Sequence, residues 1–144
     1  MINQFSPKVS EVLSFSREEA ERLASMSVGP EHLLLAIIRE KTGPISIMFS
    51  RLHLNLENLK NQLEEKVKNE NNGKMLISTD MLLNEKANNI LKLAVLEARS
   101  QHTQTVDTQH LLLAILRDNV NNGAKEVLEN NGYSQHKIGS PRAI

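Results

Sequence analysis

The chain of 144 residues carries 17 basic and 17 acidic side chains, 40% hydrophobic residues and no cysteine. This composition is that of an ordinary globular protein, and it excludes disulfides and thiolate chemistry. The balanced charge argues against nucleic-acid or membrane binding, which would show as a basic excess. No secretory signal opens the chain, and its longest apolar runs are far shorter than the roughly 20 residues of a membrane span. We therefore expect a soluble, cytoplasmic protein.

Two helices are predicted in the first 40 residues. The first begins at Ser6-Pro7, because serine can cap a helix and proline in the first turn loses no needed donor. Apolar residues then recur at helical spacing as far as Ala24. The second begins at Gly29-Pro30, with Glu31 placed against the positive end of the helix dipole. Its apolar run Leu33–Ile38 predicts a buried central helix.

Two more helices and a connection follow. Pro44 opens a short third helix, and Asn55 caps a fourth. The polar tract Lys68–Lys74 contains Asn-Glu-Asn-Asn-Gly, which is typical of a linker. Beyond it, Met75–Ile77 is expected to fold back onto the core. The fourth helix carries one apolar stripe, formed by Leu56, Leu59, Leu63 and Val67.

The same plan then recurs. Asn84 caps a fifth helix, Asp107-Thr108 begins a second central helix, and Asn122–Asn130 forms a short one. Ser134–Ile138 begins a last helix that Gly139–Pro141 breaks. This last helix is either vestigial or the end of a piece cut from a longer chain.

The recurrence is a sequence repeat. Residues His32–Arg39 and His110–Arg117 agree at seven of eight positions, at an offset of 78 residues. The same offset aligns other apolar and polar positions, so we interpret the chain as two copies of one helical unit. The predicted fold is all-α, with at most eight helices, no sheet and pseudo-twofold symmetry. We assign one domain over residues 1–144, with repeat one at 5–67, a linker at 68–82 and repeat two at 83–138.

The chain shows no motif of catalysis. It has no phosphate-binding glycine loop and no cluster of metal ligands, so we predict no catalytic residues, no metal and no ATP hydrolysis. His32 and His110 occupy equivalent first-turn positions, where a neutral imidazole can satisfy a backbone group; packing is the favoured interpretation over metal or ligand contact. The paired carboxylates Glu18-Glu19 and Glu64-Glu65 are interpreted as solvated helix faces.

The segment Gly-Pro-Glu-His-Leu-Leu-Leu-Ala-Ile-Ile-Arg-Glu at Gly29–Glu40, together with Phe5-Ser6-Pro7, resembles the Clp repeat N-terminal domain of Hsp100 AAA+ unfoldases. The resemblance is strongest to the ClpC branch and covers about Phe5 to Tyr133. It implies an all-α bundle of two four-helix repeats, tethered ahead of ATPase rings that this chain lacks. ATP and magnesium are expected only in those rings, so this chain has no cofactor. The break at Gly139 fits a domain excised near its linker.

The resemblance also implies partners. Such a domain receives adaptor and substrate proteins for unfolding, and for degradation with the ClpP peptidase through the full-length parent. The isolated domain is expected to be monomeric. Some ClpC relatives bind phosphorylated arginine at two symmetric sites. Here the first site would be Glu31 with Ser6, and a weaker second site would be Gln109, which lacks a charge, with Asn84. The alternative for Glu31 and Ser6 is dipole pairing and helix capping.

Three other functions remain open from the sequence. A free-standing Clp-domain regulator would bind a Clp ATPase from outside. A second alternative is the N-domain of a ClpB-type disaggregase. A small helical enzyme would need a pocket with convergent titratable groups.

Overall fold

The computed structural model describes residues 4–40, 44–71 and 82–133. Seven helices in these ranges confirm the all-α fold class. The predicted last helix at Ser134–Ile138 and the segment Met75–Ile77 lie outside the described residues. Repeat one contains β1 (Gln4–Phe5), α1 (Pro7–Arg22), α2 (Pro30–Arg39), α3 (Pro44–Arg51) and α4 (Leu56–Asn71), and repeat two contains α5 (Glu85–Ser100), β2 (Thr105–Val106), α6 (Thr108–Arg117) and α7 (Gly123–Asn130).

The helices begin where the sequence places capping residues. The side-chain oxygens of Ser6, Asn55, Asn84 and Asn122 each accept the backbone N–H three residues further on, at 3.1, 3.0, 2.9 and 2.7 Å. Each bond satisfies one of the N–H groups that a helix start leaves without an intrahelical partner. The capping predictions for α1, α4 and α5 are therefore confirmed.

The central helices α2 and α6 form the middle of one core. Leu33–Ile37 and Leu111–Leu116 are buried throughout, as their apolar runs predict. The apolar cluster around them extends through both repeats. At one point the repeats meet through aromatic rings, where Phe49 and Tyr133 pack edge to face with centroids 5.4 Å apart. The two repeats thus bury one hydrophobic core together.

Short parallel backbone pairings between the two repeats, here called the strand exchange, correct the expectation of no sheet. β1 pairs in parallel with β2, placing Phe5 opposite Val106, and a single bridge joins Val28 to Leu83. The two pairings are related by the repeat offset, since Phe5 corresponds to Leu83 and Val28 to Val106. Extended residues that precede buried helices still need partners for their backbone groups, and each copy supplies them to the other. Consequently, each repeat's first helix begins beside the central helix of the other repeat.

The fourth helix is longer than the sequence pattern indicates. α4 continues to Asn71, so the first residues of the predicted linker, from Lys68, are helical. No glycine or proline interrupts the chain before Gly73, and the helix therefore has no reason to end at Val67. Among the described ranges, no helix has both the length and the apolar character required to cross a membrane.

Candidate functional site

The two repeated histidines cap the central helices. The Nδ1 atom of His32 accepts the N–H of Gly29 at 2.9 Å, and Nδ1 of His110 accepts the N–H of Asp107 at the same distance. Each imidazole occupies the third helical position, where glutamate or glutamine reaches back in a capping box. Burial lowers the pKa of both rings, although nearby carboxylates act in the opposite direction. The predicted structural role of these histidines, in which the ring satisfies a backbone group, is confirmed.

A hydrogen bond between Ser25 and His32 has the form of a nucleophile and its base. The distance from Ser25 Oγ to His32 Nε2 is 2.8 Å. Because Nδ1 already accepts the N–H of Gly29, the neutral ring carries its proton on Nε2 and donates it to the serine oxygen. A ring in this tautomer cannot remove the serine proton. Ser25 is also buried, so this pair is a cap rather than a catalytic dyad.

Glu31 lies between the starts of three helices. One carboxylate oxygen, Oε2, accepts the N–H of Gly123 at the start of α7 at 3.1 Å. The other, Oε1, lies 3.0 Å from the point where a Cβ on Gly29 would stand, and the amide nitrogen of Asn84 lies 3.0 Å from that same point. The side chain is buried, with 4% of its surface exposed. A carboxylate placed here faces the positive ends of α2, α5 and α7.

Ser6 lies at the corresponding position of the other central helix. Its hydroxyl donates to Oδ1 of Asp107 at 3.1 Å, and that oxygen also accepts the N–H of Thr108 at 2.8 Å. The hydroxyl of Thr108 is buried and has no hydrogen-bond partner in the described part of the chain. Gln109, which replaces the carboxylate of Glu31, is partly buried at the same helix start.

The structure therefore places the four predicted ligand residues near different neighbours from those that the sequence indicates. Asn84 lies beside Glu31, and Ser6 is bound to the helix start that carries Gln109. The strand exchange causes this, because it brings the start of each first helix to the other repeat. Capping by Ser6 is observed. Glu31 lies in the first turn of α2 as predicted, and its carboxylate accepts an N–H at the start of α7. Ligand binding at either position stays a prediction.

A groove between α1, α2 and α4 was missed by the sequence analysis. Its volume is about 520 Å³. Buried Glu19 holds two arginines there, Arg22 at 2.8 Å and Arg39 at 3.5 Å, so its interpretation as a solvated carboxylate is wrong. Glu64 pairs with the same Arg22 at 2.7 Å and is also not merely solvated. The lining residues are Glu19, Arg22, Leu35, Ile38, Arg39, Leu56, Glu57 and Lys60.

The ion pairing of Glu19 differs from that of its equivalent in repeat two, Glu97. There Glu97 binds Arg117 through both carboxylate oxygens, at 2.7 and 2.6 Å. The residue equivalent to Arg22 is Ser100, so among the described residues this carboxylate holds one arginine rather than two. The repeated Glu and Arg at the same offset were the signal in the sequence that could have indicated the ion pair. Within the described residues, no group of three or more potential ligands could hold a metal ion.

Comparison with known proteins identifies the family to which the chain belongs. The model of the Clp repeat (R) N-terminal domain matches residues 4–131. The chloroplastic chaperone protein ClpC2 of Arabidopsis thaliana is 31% identical over 138 residues, which are 96% of this chain but 14% of that protein. The chain thus spans a small part of that relative's length.

Solved structures share the fold at lower identity. The N-terminal domain of the caseinolytic protease associated chaperone ClpD from Arabidopsis thaliana matches with a TM-score of 0.73 at 21% identity, covering 94% of this chain and 89% of that one. A structure named for a peptide from the EAEC T6SS Sci1 SciI protein matches with a TM-score of 0.73 at 18% identity, covering 94% and 85%. The family model includes both central helices and both halves of the strand exchange. The chain therefore belongs to the family of Clp repeat N-terminal domains.

Proposed function

We propose that this chain is the substrate- and adaptor-binding N-terminal module of a ClpC-type AAA+ unfoldase that works with the ClpP peptidase. The observation that carries the proposal is the match of the family model across both repeats, from residue 4 to residue 131. Members of this family are N-terminal domains of Clp and Hsp100 ATPases, and they are non-catalytic modules. The ATPase activity, ATP and magnesium would reside in other domains of a longer parent.

The interior of the domain favours binding over catalysis. Burial lowers the pKa of His32 and His110, and both rings are engaged in helix capping. A helical enzyme would need convergent reactive groups in a pocket. The groove of repeat one instead combines apolar side chains with arginines fixed by Glu19, which suits a peptide segment. A structural neighbour named for a peptide gives this interpretation further support.

The predicted phosphoarginine site stays part of the proposal in revised form. Glu31 would take the guanidinium through Oε1, because Oε2 already holds the N–H of Gly123. Asn84, rather than Ser6, would be the neighbouring side chain. The uncharged Gln109 makes the second position the weaker one, because an amide cannot form the charge-assisted bonds of a carboxylate. We also retain a monomeric domain and a cytoplasmic location as predictions, although the relative is named as chloroplastic.

Competition tests the proposed function. The purified chain, added in excess to intact ClpC and ClpP, should slow adaptor-dependent degradation of a disordered client by occupying adaptors or clients. A Leu112→Asp variant, which should not fold, serves as the control. Absence of inhibition, together with absence of binding to adaptor and client in direct titration, would contradict the proposal.

Two alternatives give different results in the same system. A free-standing regulator would bind ATPase rings from which the native N-domains have been removed, and a client-binding module would not. The N-domain of a ClpB-type disaggregase would instead compete in client reactivation without ClpP. Either result would contradict the proposed ClpC branch but would leave the membership of the Clp repeat N-terminal domain family unchanged.

A further inference from the structure

We propose that Asp107 is a built-in anion that closes the start of α6 to external oxyanions. This inference deepens the proposed function and rests on it in one respect, because it sets the number of anion-binding positions in the module. It depends on the difference between Asp107 and Gly29, which occupy equivalent positions directly before the two central helices.

The start of α6 already holds a carboxylate. Oδ1 of Asp107 accepts the hydroxyl of Ser6 at 3.1 Å and the N–H of Thr108 at 2.8 Å. Ser6 belongs to the other repeat and is buried, with 7% of its surface exposed. Donors of this kind, at the positive end of a helix, are those that proteins use to bind phosphate and carboxylate groups. Asp107 therefore takes, from within the chain, the place that an external oxyanion would occupy.

A further donor at this helix start has no acceptor. Thr108 is 3% exposed, and its hydroxyl oxygen has no hydrogen-bond partner in the described part of the chain. A buried hydroxyl without a partner loses its hydrogen bonds to water and gains none in return. One oxygen of Asp107 thus serves two donors, and a third donor is left over. A phosphate group, which offers three strong acceptor oxygens, matches this set of donors.

The start of α2 has no such internal anion. Gly29 carries no side chain and forms no side-chain cap. The residue equivalent to Ser6 there is Asn84, whose amide nitrogen lies 3.0 Å from the point where a Cβ on Gly29 would stand. That amide group donates to no acceptor among the described residues, although the side-chain oxygen of Asn84 caps α5. The equivalent donor is therefore satisfied by Asp107 in repeat two and stays open in repeat one.

The backbone permits glycine at residue 107. Gly29 has φ −110° and ψ −179°, and Asp107 has φ −108° and ψ 175°. Glycine is an accepted N-cap residue, and the N–H of residue 107 would keep its bond to His110. Asp107→Gly therefore removes the carboxylate without straining the chain. Asp107→Asn is the matched control, because its side-chain oxygen can still accept from Ser6 and Thr108.

Titration of the full chain with inorganic phosphate at constant ionic strength, followed by two-dimensional NMR of the backbone N–H groups, tests the proposal. In Asp107→Gly the N–H signal of Thr108 should shift in a saturable way. The dissociation constant should be at least about tenfold lower than in the parent chain, because the competing charge is gone and the donors are free. Asp107→Asn should behave like the parent. No saturable shift in Asp107→Gly, or an equal shift in Asp107→Asn, would overturn the proposal.

Phosphoarginine separates this inference from the proposed function. Gln109→Glu alone should keep one site, whereas Gln109→Glu combined with Asp107→Gly should have two, since only the double variant has both a carboxylate and an open anion position. A second site in Gln109→Glu alone, or one site in both variants, would overturn the inference. If the parent binds neither phosphoarginine nor adaptor nor client, but phosphate shifts Thr108 in Asp107→Gly, the proposed function fails and the closure of α6 stands.

Discussion

The carboxylate of Glu31 in repeat one accepts the backbone N–H of Gly123, the first residue of α7 in repeat two, at 3.1 Å. The approach is so close that a Cβ on Gly123 would overlap Glu31 Oε2. This contact joins the positive end of α7 to the start of α2 across the repeats. It gives Glu31 a structural role whether or not it binds a ligand.

Gly123→Ala should therefore destabilise the domain. The added methyl group forces the carboxylate of Glu31 to move, and overpacking of this kind costs about 1–3 kcal/mol. Alanine is otherwise the better helix former, so steric conflict is the only reason to expect a loss. Urea denaturation measures the free energy of unfolding.

A double-mutant cycle isolates that cause. In a Glu31→Ala background the methyl group has room, and Gly123→Ala should be neutral or stabilising. Equal losses in both backgrounds would mean that the conflict lies with another neighbour.

Leu112→Ala should cost about 2–5 kcal/mol, because the leucine is fully buried in α6 and its removal leaves a cavity in the shared core. Leu96→Ala is the matched control, since the side chain of Leu96 on α5 is 55% exposed. Thermal and urea unfolding should separate the two variants clearly. Similar stabilities would refute the central position of α6.

Burial of α2 and α6 could be predicted from the sequence, because a helix that is apolar on all sides has no solvent face. The capping roles of Ser6 and Asn84 could also be predicted, since short polar side chains at helix starts usually accept a backbone N–H of the first turn. These features depend on nearby residues only. Local sequence is therefore sufficient for the helices and for most of their boundaries.

The placement of Asn84 near Glu31 could not be predicted in this way. An offset of 78 residues shows which positions are equivalent, but not which copy packs against which. Strand exchange between Phe5 and Val106 decides that, and it depends on backbone pairing between residues far apart in the chain. The buried role of Glu19 was missed because its second arginine, Arg39, comes from another helix.

Stability should depend on pH through His32 and His110. The pKa of each is lowered in the folded state, mainly by burial, so below the ordinary value of 6.5 the unfolded chain binds more protons. The free energy of unfolding is then highest above that pH and falls as the pH drops from 6.5 towards the folded pKa values. Urea denaturation at about pH 7.5 and about pH 5.5 measures the loss.

Substitution of the two histidines tests whether they cause this loss of stability. His32→Gln with His110→Gln removes both titrating rings and should flatten the decline. His102→Asn is the control, because His102 is exposed and its positive φ of 59° is one that asparagine tolerates. An unchanged decline in the double variant would place the titrating groups elsewhere.

Binding of phosphoarginine should depend on Glu31 and on Asn84 rather than on Ser6. Calorimetric titration should find one site, because the second position has the uncharged amide of Gln109 where the first has the carboxylate of Glu31. Glu31→Gln should weaken it about ten- to a hundredfold, the effect of losing roughly 1.5–3 kcal/mol of such bonds. Gln109→Ala should change little.

Asn84→Ser keeps a helix cap but removes the amide beside Glu31, so it should weaken binding. Ser6→Asn keeps the cap of α1, which begins beside α6 rather than beside Glu31, and should not weaken binding. Weakening by Ser6→Asn alone would restore the within-repeat pairing, and two equal sites or none would contradict the prediction altogether.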